Sequence, residues 1–196
     1  LDLTLNPDFS QVEVDQQITN LTRCEISLPE KRQFFIENSD LFASFGSKMD
    51  ANPFFSRRIG IAKDLDGNSI QNKISGGLKL SGKINSDFRI GVLNMQTEED
   101  LDNEIAATNN AIIALQHKVF NRSNISFMFI NRQATKDYEF LGEDEEYNRV
   151  IGIDYNLASK DNKWTGKYYF HKSFSPSENN KDFSMGIKTS YNSRNL

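Results

Sequence analysis

The sequence contains a single cysteine, Cys24, and only two histidines, His117 and His171. One cysteine excludes an internal disulfide and any thiol-rich metal site, and we expect Cys24 to be a small, half-buried side chain. The two histidines fall on different predicted strands, and neither has an acidic residue close to it in sequence. The sequence therefore predicts no catalytic constellation, no metal site and no cofactor.

Long apolar runs and an excess of basic residues are also lacking. No run of about 18 apolar residues and no charged-then-apolar leader occurs, so neither a transmembrane helix nor a signal peptide is predicted. The chain begins inside a predicted strand at Leu1, so we expect it to be a segment of a longer protein. A net charge of -4, from 23 basic and 27 acidic residues, argues against a nucleic-acid partner.

Residues 76–196 are patterned as antiparallel strands. Apolar and polar residues alternate there with the period of a strand whose two faces differ, as at Leu78 and Leu80. Short turns are predicted at 85–86, 121–123 and 159–163, and longer polar loops at 97–108, 134–146 and 174–181. Outer-membrane barrels alternate short turns and long loops in this way. In a soluble sandwich no physical constraint requires short and long connections to alternate along the chain. The pattern predicts an all-β, up-and-down antiparallel meander that forms part of a transmembrane β-barrel.

One face of these strands is predicted to contact lipid. Strand parity places apolar side chains outward and polar ones, such as Lys167 and His171, inward. The outward set is Phe88, Ile90, Val92, Trp164, Tyr168, Phe170, Met185 and Ile187. Outer-membrane lipid is therefore the expected partner, and a continuous apolar band of about 25 Å is the expected feature.

Residues 1–75 contain a short strand followed by a long irregular segment. Leu1, Leu3 and Leu5 alternate with polar residues and predict a barrel strand at 1–6. Residues 7–75, called the insertion below, are interrupted by prolines. They contain one candidate helical turn near Asn38 to Phe45, for which Asn38 or Ser39 is the candidate cap. A loop of this length inside a compact domain is expected to be functional. We expect it to fold back over the concave face of the sheet as a plug or lid, because its phenylalanines would otherwise form an exposed apolar patch.

Charged and aromatic residues are interleaved in two clusters of the insertion, PEKRQFF and PFFSRRIG. The charged candidates are Glu30, Lys31, Arg32, Glu37, Arg57 and Arg58, and the aromatic anchors are Phe34, Phe35, Phe54 and Phe55. These charges either lock the insertion to the barrel wall or line a path for a polar ligand or sugar. We favour the lock, because charge inside a lumen is costly unless it is paired.

The segments LNPDFSQVEVDQ, NLTR, PEKRQFFIEN and FFSRRIG closely resemble the start of DUF5916, a bacterial family of unknown function that is typical of Bacteroidetes. Its members are outer-membrane β-barrel proteins, and many carry an upstream domain similar to a family 9 carbohydrate-binding module. No segment of this sequence resembles that module. The resemblance is specific over residues 1–60 and extends by pattern alone over 61–196. It implies residence in the bacterial outer membrane and a glycan partner reached through the upstream domain.

Three functions remain open from the sequence. The first is an outer-membrane barrel module, either a plugged channel or an anchor associated with carbohydrate binding or uptake. The second is a soluble all-β domain that binds a ligand through exposed aromatic rings. The third is a barrel hydrolase acting on lipid or glycan, for which Ser126 or Ser173 would have to work with a histidine, although no motif supports it.

Overall fold

The fold is described from a computed structural model, which covers residues 1–7, 30–47, 51–142, 145–176 and 182–193. Cys24 lies outside these residues. The segment NLTR and most of the segment LNPDFSQVEVDQ, which resemble the family, also lie outside them. None of the helices in the described part of the chain is long and apolar enough to cross a membrane.

Eight strands form one antiparallel sheet, called the main sheet, in the order β1-β4-β5-β6-β7-β8-β9-β10. From β4 onward every strand pairs with its neighbours in sequence, so the predicted meander is confirmed. The strands are β1 (Asp2–Leu5), β4 (Ile74–Lys83), β5 (Phe88–Thr97), β6 (Thr108–Val119), β7 (Ser123–Ala134), β8 (Tyr147–Ala158), β9 (Trp164–Phe174) and β10 (Phe183–Tyr191). Among the described residues β1 and β10 are unpaired at their outer edges.

The loops between these strands are sorted by length as the sequence predicts. Residues 84–87, 120–122 and 159–163 make short turns, whereas 98–107, 135–146 and 175–182 make long connections. All short turns lie at one end of the main sheet and all long loops at the other, because consecutive strands are antiparallel. We call these the turn end and the loop end.

The insertion separates β1 from β4, its partner in the sheet. It contains two short helices, α1 (Gln33–Ile36) and α2 (Ser39–Ala43), a 3₁₀ turn at Ser56–Arg58, and the hairpin β2 (Ile61–Lys63) and β3 (Ser69–Gln71). The predicted helical turn is present as α2. The strand after the insertion begins at Ile74, two residues before the predicted boundary.

The cap of α2 and the presence of helix α1 differ from the sequence predictions. Asn38 precedes α2, but its side chain donates to Ser81 Oγ at 3.1 Å and makes no helix cap, since its backbone is left-handed at φ 51°. The sequence predicts short extended pieces in the insertion, and β2 and β3 are two of them. Helix α1 is not predicted, because a helix of four residues carries no clear periodicity.

Candidate functional site

The two faces of the main sheet differ, and the insertion covers one of them. On this inner face, Leu93, Met95 and Met128 pack in one buried cluster with Leu41 and Phe42 of α2. The other cluster members are Phe35, Phe45, Ile59, Ile74, Ile112 and Ala114. A Cβ atom at Gly91 would lie 2.7 Å from the ring of Phe42, so this glycine is what lets the ring approach the strand. The part of the inner face beneath α2 is thus filled by apolar side chains.

Arg32 ties the insertion together at one side of this core. Its Nε and Nη2 donate to the Glu30 carboxylate at 2.9 and 2.8 Å, while Nη1 and Nη2 donate to the backbone oxygens of Ile59 and Ser56. The guanidinium also stacks on the ring of Phe35, 4.2 Å from its centroid. Burial would raise the pKa of Glu30, but hydrogen bonds from Arg32 and from the Ser56 hydroxyl outweigh it and leave this pKa below its ordinary value. The buried pair is fully hydrogen-bonded, which is the condition under which such a pair is tolerated.

Lys79 on β4 clamps helix α1 to the sheet. Its side chain is 2% exposed, and its ammonium donates to the backbone oxygens of Phe34, at 2.7 Å, and Glu37. Carbonyl oxygens at the end of a helix are favourable partners for a cation. The clamp therefore fixes the end of α1 against the sheet edge.

Asp154 on β8 holds the other end of the described insertion. Its Oδ1 lies 2.7 Å from His171 Nε2, and its Oδ2 is 2.7 Å from Lys167 Nζ and accepts from the Gly46 amide at 2.8 Å. Lys167 Nζ also donates to the backbone oxygen of Ser44 at 2.5 Å. A carboxylate on β8 that is 1% exposed is therefore joined to β9 and to the insertion. Sequence reasoning missed it because its partners lie far away in the chain.

Asp40 forms a fourth connection, at the more exposed edge of α2. Arg89 Nη1 donates to Asp40 Oδ2 at 2.8 Å. Hydrogen bonding by Arg89 lowers the pKa of Asp40, although partial burial opposes the shift. This pair is largely solvated, so its contribution to stability is small.

The predicted charged residues divide into two groups. Glu30, Arg32 and Arg57 are buried or nearly so, whereas Lys31, Glu37 and Arg58 are exposed at their side chains. The structure brings Glu30 and Arg32 together. Glu37 accepts a hydrogen bond from Lys79 through its backbone oxygen.

The aromatic anchors lie where the insertion meets the sheet. Phe35 is in the buried cluster, and Phe34 and Phe54 pack against its edge. Phe34 and Phe35 are edge-to-face at 5.3 Å, and Phe54 is 6.4 Å from the ring of Phe42. Phe55 lines a cleft of about 270 Å³ together with Phe42, Phe54 and Lys79. This cleft is at the small end of ligand-site volumes.

In the described part of the chain no hydrogen bond joins a histidine to Ser126 or Ser173, and Ser173 Oγ bonds instead to Asn148. Ser126 Oγ bonds to Asn124 and Gln116 at 3.4 Å each, and His171 bonds to Asp154. His117 lies on the opposite face, beside the ring of Phe88 at 6.0 Å. Ser126 and His171 share the inner face but no hydrogen bond joins them.

The other side of the main sheet, called the outward face, is apolar and uncovered by any described residue. All eight predicted lipid-facing residues lie on it, since they alternate with the inner residues Gly91, Leu93, Lys167 and His171. Trp164, Phe170, Met185 and Ile187 are between 47% and 74% exposed. Further exposed members are Leu3, Leu78, Leu80, Ile113, Ile125, Phe127, Ile151, Ile153, Phe174 and Phe183.

Charge is sorted between the faces. The strand carboxylates of the described main sheet, Asp2 and Asp154, lie on the inner face, and the outward positions carry none. The outward cations of β8 and β9 are Arg149 and Lys172, both near the loop end. Outward amides such as Asn94, Asn109 and Asn131 also lie near the loop end.

The strands are staggered along the sheet. At the turn end Phe88 pairs with His117, leaving β6 to continue to Val119, and Asn124 pairs with Asn156, leaving β8 to continue to Ala158. At the loop end β9 and then β10 stop progressively earlier than β8. The stagger therefore has the same direction across the sheet from β5 to β10.

Comparison with known proteins identifies the family without a function. No curated protein and no solved structure is significantly similar to this chain. The model of one family, described as a domain of unknown function, DUF5916, matches residues 1–195. Since the match spans nearly the whole chain, the protein belongs to the DUF5916 family.

Proposed function

We propose that this chain is a wall segment of an outer-membrane β-barrel whose lumen is closed by the insertion. The observation that carries the proposal is the outward face, where large apolar side chains stay exposed across the whole main sheet while the carboxylates are turned inward. Soluble monomers rarely expose apolar patches beyond a few hundred Å². A hydrocarbon environment accounts for a surface of this extent.

The dimensions of β9 support the proposal. Trp164 and Phe174 mark its two ends on the outward face. At about 3.3 Å per residue they lie about 33 Å apart along the strand, which at a tilt of about 40° corresponds to about 25 Å in height. Aromatic residues at both ends of a span of this height are typical of lipid-facing barrel walls.

The inner contacts support the closed lumen. Lys79, Arg89, Asp154 and Lys167 reach from four strands to the insertion, at both ends of the packed core. The insertion therefore blocks a channel or anchors the barrel as a rigid body. The association with carbohydrate binding or uptake is carried by the family resemblance and stays a prediction.

Trp164 offers a direct test because it is the only tryptophan in the sequence. We expect its fluorescence, after the protein is folded into phosphatidylcholine vesicles, to be quenched by lipids brominated near the headgroup more than by lipids brominated near the chain end. Moving the tryptophan to the centre of the band, with Ile153→Trp in a Trp164→Phe background, should reverse that order.

A tryptophan on the inner face is the matched control. Ile130→Trp in the same Trp164→Phe background places the ring against the buried cluster, so no brominated lipid should quench it. If iodide in the water quenches Trp164 and brominated lipids do not, the outward face is not in a bilayer and the soluble all-β alternative gains support.

A further inference from the structure

Arg149 is held in a fixed geometry on the outward face. On β7, the strand beside it, Asn131 and Gln133 accept hydrogen bonds from its Nε at 3.0 Å and its Nη2 at 3.4 Å. Its guanidinium carbon lies 4.4 Å from the centroid of the Tyr147 ring. Three side chains of two strands therefore fix the plane of this guanidinium.

Donors of Arg149 remain available after these contacts. A guanidinium has five N–H donors, and two of them bond to Asn131 and Gln133. No carboxylate among the described residues pairs with Arg149, and its side chain is only half-buried. A guanidinium that amides hold in one orientation, and that no described carboxylate pairs with, can bind an anion from outside the chain.

The position of Arg149 indicates which anion it would meet. It pairs in register with Phe174, the aromatic residue at the loop end of the β9 span. Lys172 lies diagonally across on the same face, opposite Ile151, at a spacing of about 7–8 Å that is usual for such neighbours. Two cations thus border the apolar band where it gives way to polar side chains.

The neighbouring outward side chains are neutral amides. Asn109 Nδ2 donates to Asn94 Oδ1 at 3.0 Å and to Gln96 Oε1 at 3.3 Å. These groups suit hydroxyl-rich headgroups and contribute no negative charge that would repel a phosphate. The chemistry at this level of the sheet is therefore cationic and hydrogen-bonding, directly beside an apolar surface.

We propose that Arg149 binds the phosphate of a phosphorylated saccharide lipid in the leaflet at the loop end. The guanidinium donates two parallel N–H bonds to phosphate oxygens, and the acyl chains lie on Ile151, Ile153 and Phe170. This inference rests on the proposed function, because it requires the outward face to contact lipid.

The test compares lipids in vesicles. The full chain is folded into phosphatidylcholine vesicles containing a small fraction of either a phosphorylated glucosamine disaccharide lipid or the same lipid without its phosphates. Lipids bound to the protein after detergent extraction are counted by native mass spectrometry. We expect the phosphorylated lipid to be retained about tenfold or more in excess over the dephosphorylated one, in keeping with the strength of charge-assisted hydrogen bonds.

Matched variants locate the site. Arg149→Gln should abolish the preference, and Arg149→Lys should restore part of it, since the charge returns without the planar fork. Arg132→Gln removes the same charge from β7 on the inner face, and it should leave the preference unchanged. Soluble glucosamine phosphate, added in excess, should not displace the lipid.

Each failure has a distinct meaning. If the protein folds into vesicles and Trp164 is quenched by brominated lipid, but Arg149→Gln retains the preference, this inference is wrong and the membrane proposal stands. Equal loss in Arg149→Gln and Arg132→Gln would mean that net charge alone attracts the lipid, which also overturns it. If the protein enters vesicles but Trp164 is quenched by iodide and not by brominated lipid, the proposed function itself fails.

Discussion

Gly46 is the residue on which the contact between the insertion and Asp154 depends. Its amide donates to the Asp154 carboxylate, and its backbone is left-handed at φ 66°. A Cβ atom there would lie 2.0 Å from the backbone oxygen of Ala51 and 2.9 Å from His171 Cε1. A side chain at this position must therefore displace the insertion.

Gly46→Ala should lower the free energy of unfolding by at least about 2 kcal/mol, because the left-handed conformation costs about 1–2 kcal/mol and the clash adds to it. Denaturant unfolding in detergent measures this. Gly67→Ala is the matched control, since Gly67 also has a left-handed φ of 83° but no atom within 4 Å of its Cβ position. Equal losses in the two variants would show that the clash at Gly46 is relieved without cost.

Glu30 gives the insertion a dependence on pH. Its pKa in the folded protein lies below the ordinary value of 4.5, so its stabilising effect is fully present above that value and is lost as pH falls through the lowered pKa. Protonation removes the acceptor for Arg32 and Ser56.

We expect limited proteolysis by an acid-active protease to cleave residues 30–60 faster below about pH 4, where carboxylates protonate, while the strands from β5 onward stay protected. Glu30→Gln should weaken protection of this segment at neutral pH and flatten the pH dependence. An unchanged acid profile in Glu30→Gln would assign the transition to another carboxyl group.

At the scale of elements, helix α1 depends on β4 through the Lys79 clamp. Lys79→Met keeps a flexible apolar stem of similar length but leaves the oxygens of Phe34 and Glu37 without their donor. Buried carbonyls that lose a partner cost about 1–3 kcal/mol. We therefore expect this variant to raise the small-solute permeability of vesicles containing the protein, measured by osmotic swelling.

Lys83→Met is the control for that experiment, because Lys83 lies on the same strand but is exposed. It should leave permeability unchanged. Identical swelling of Lys79→Met and the unsubstituted protein would mean that the insertion stays in place without the clamp.

The strand order, the sorting of loops and the outward residues could be predicted from sequence because each follows from local alternation and turn signals. Helix α2 lies within the helical turn predicted near Asn38 to Phe45, although Asn38 does not cap it. Phe35 is buried, as expected for a phenylalanine-rich segment that packs on the sheet. The cluster around Asp154 could not be predicted from the sequence. Asp154, Lys167 and Gly46 meet only after β8 and β9 pair and the insertion packs on them. Arg149 gave no signal either, because its partners lie on β7 and no motif joins them.

At the scale of the whole molecule, the outward face should tolerate charge according to depth. Ile153→Arg, at the centre of the apolar band on β8, should destabilise the protein in vesicles by about 2–4 kcal/mol, and Ala111→Arg, at the loop end of β6, by about 0–1 kcal/mol. Unfolding by urea from vesicles measures both. Equal costs at the two depths would contradict a lipid-facing band.

The long separation of β1 from β4 has a consequence for the order in which the sheet assembles. Only four residue pairs join these strands, against nine or more in each other pairing of the main sheet. Closing so long a loop costs about 3 kcal/mol more in chain entropy than closing a three-residue turn. A folded insertion shortens the flexible chain between β1 and β4, so we expect β1 to pair with β4 last. Amide hydrogens of Leu3 and Leu5 should then exchange quickly whenever the insertion unfolds locally. The first strand in the sequence is then the last to be secured in the fold.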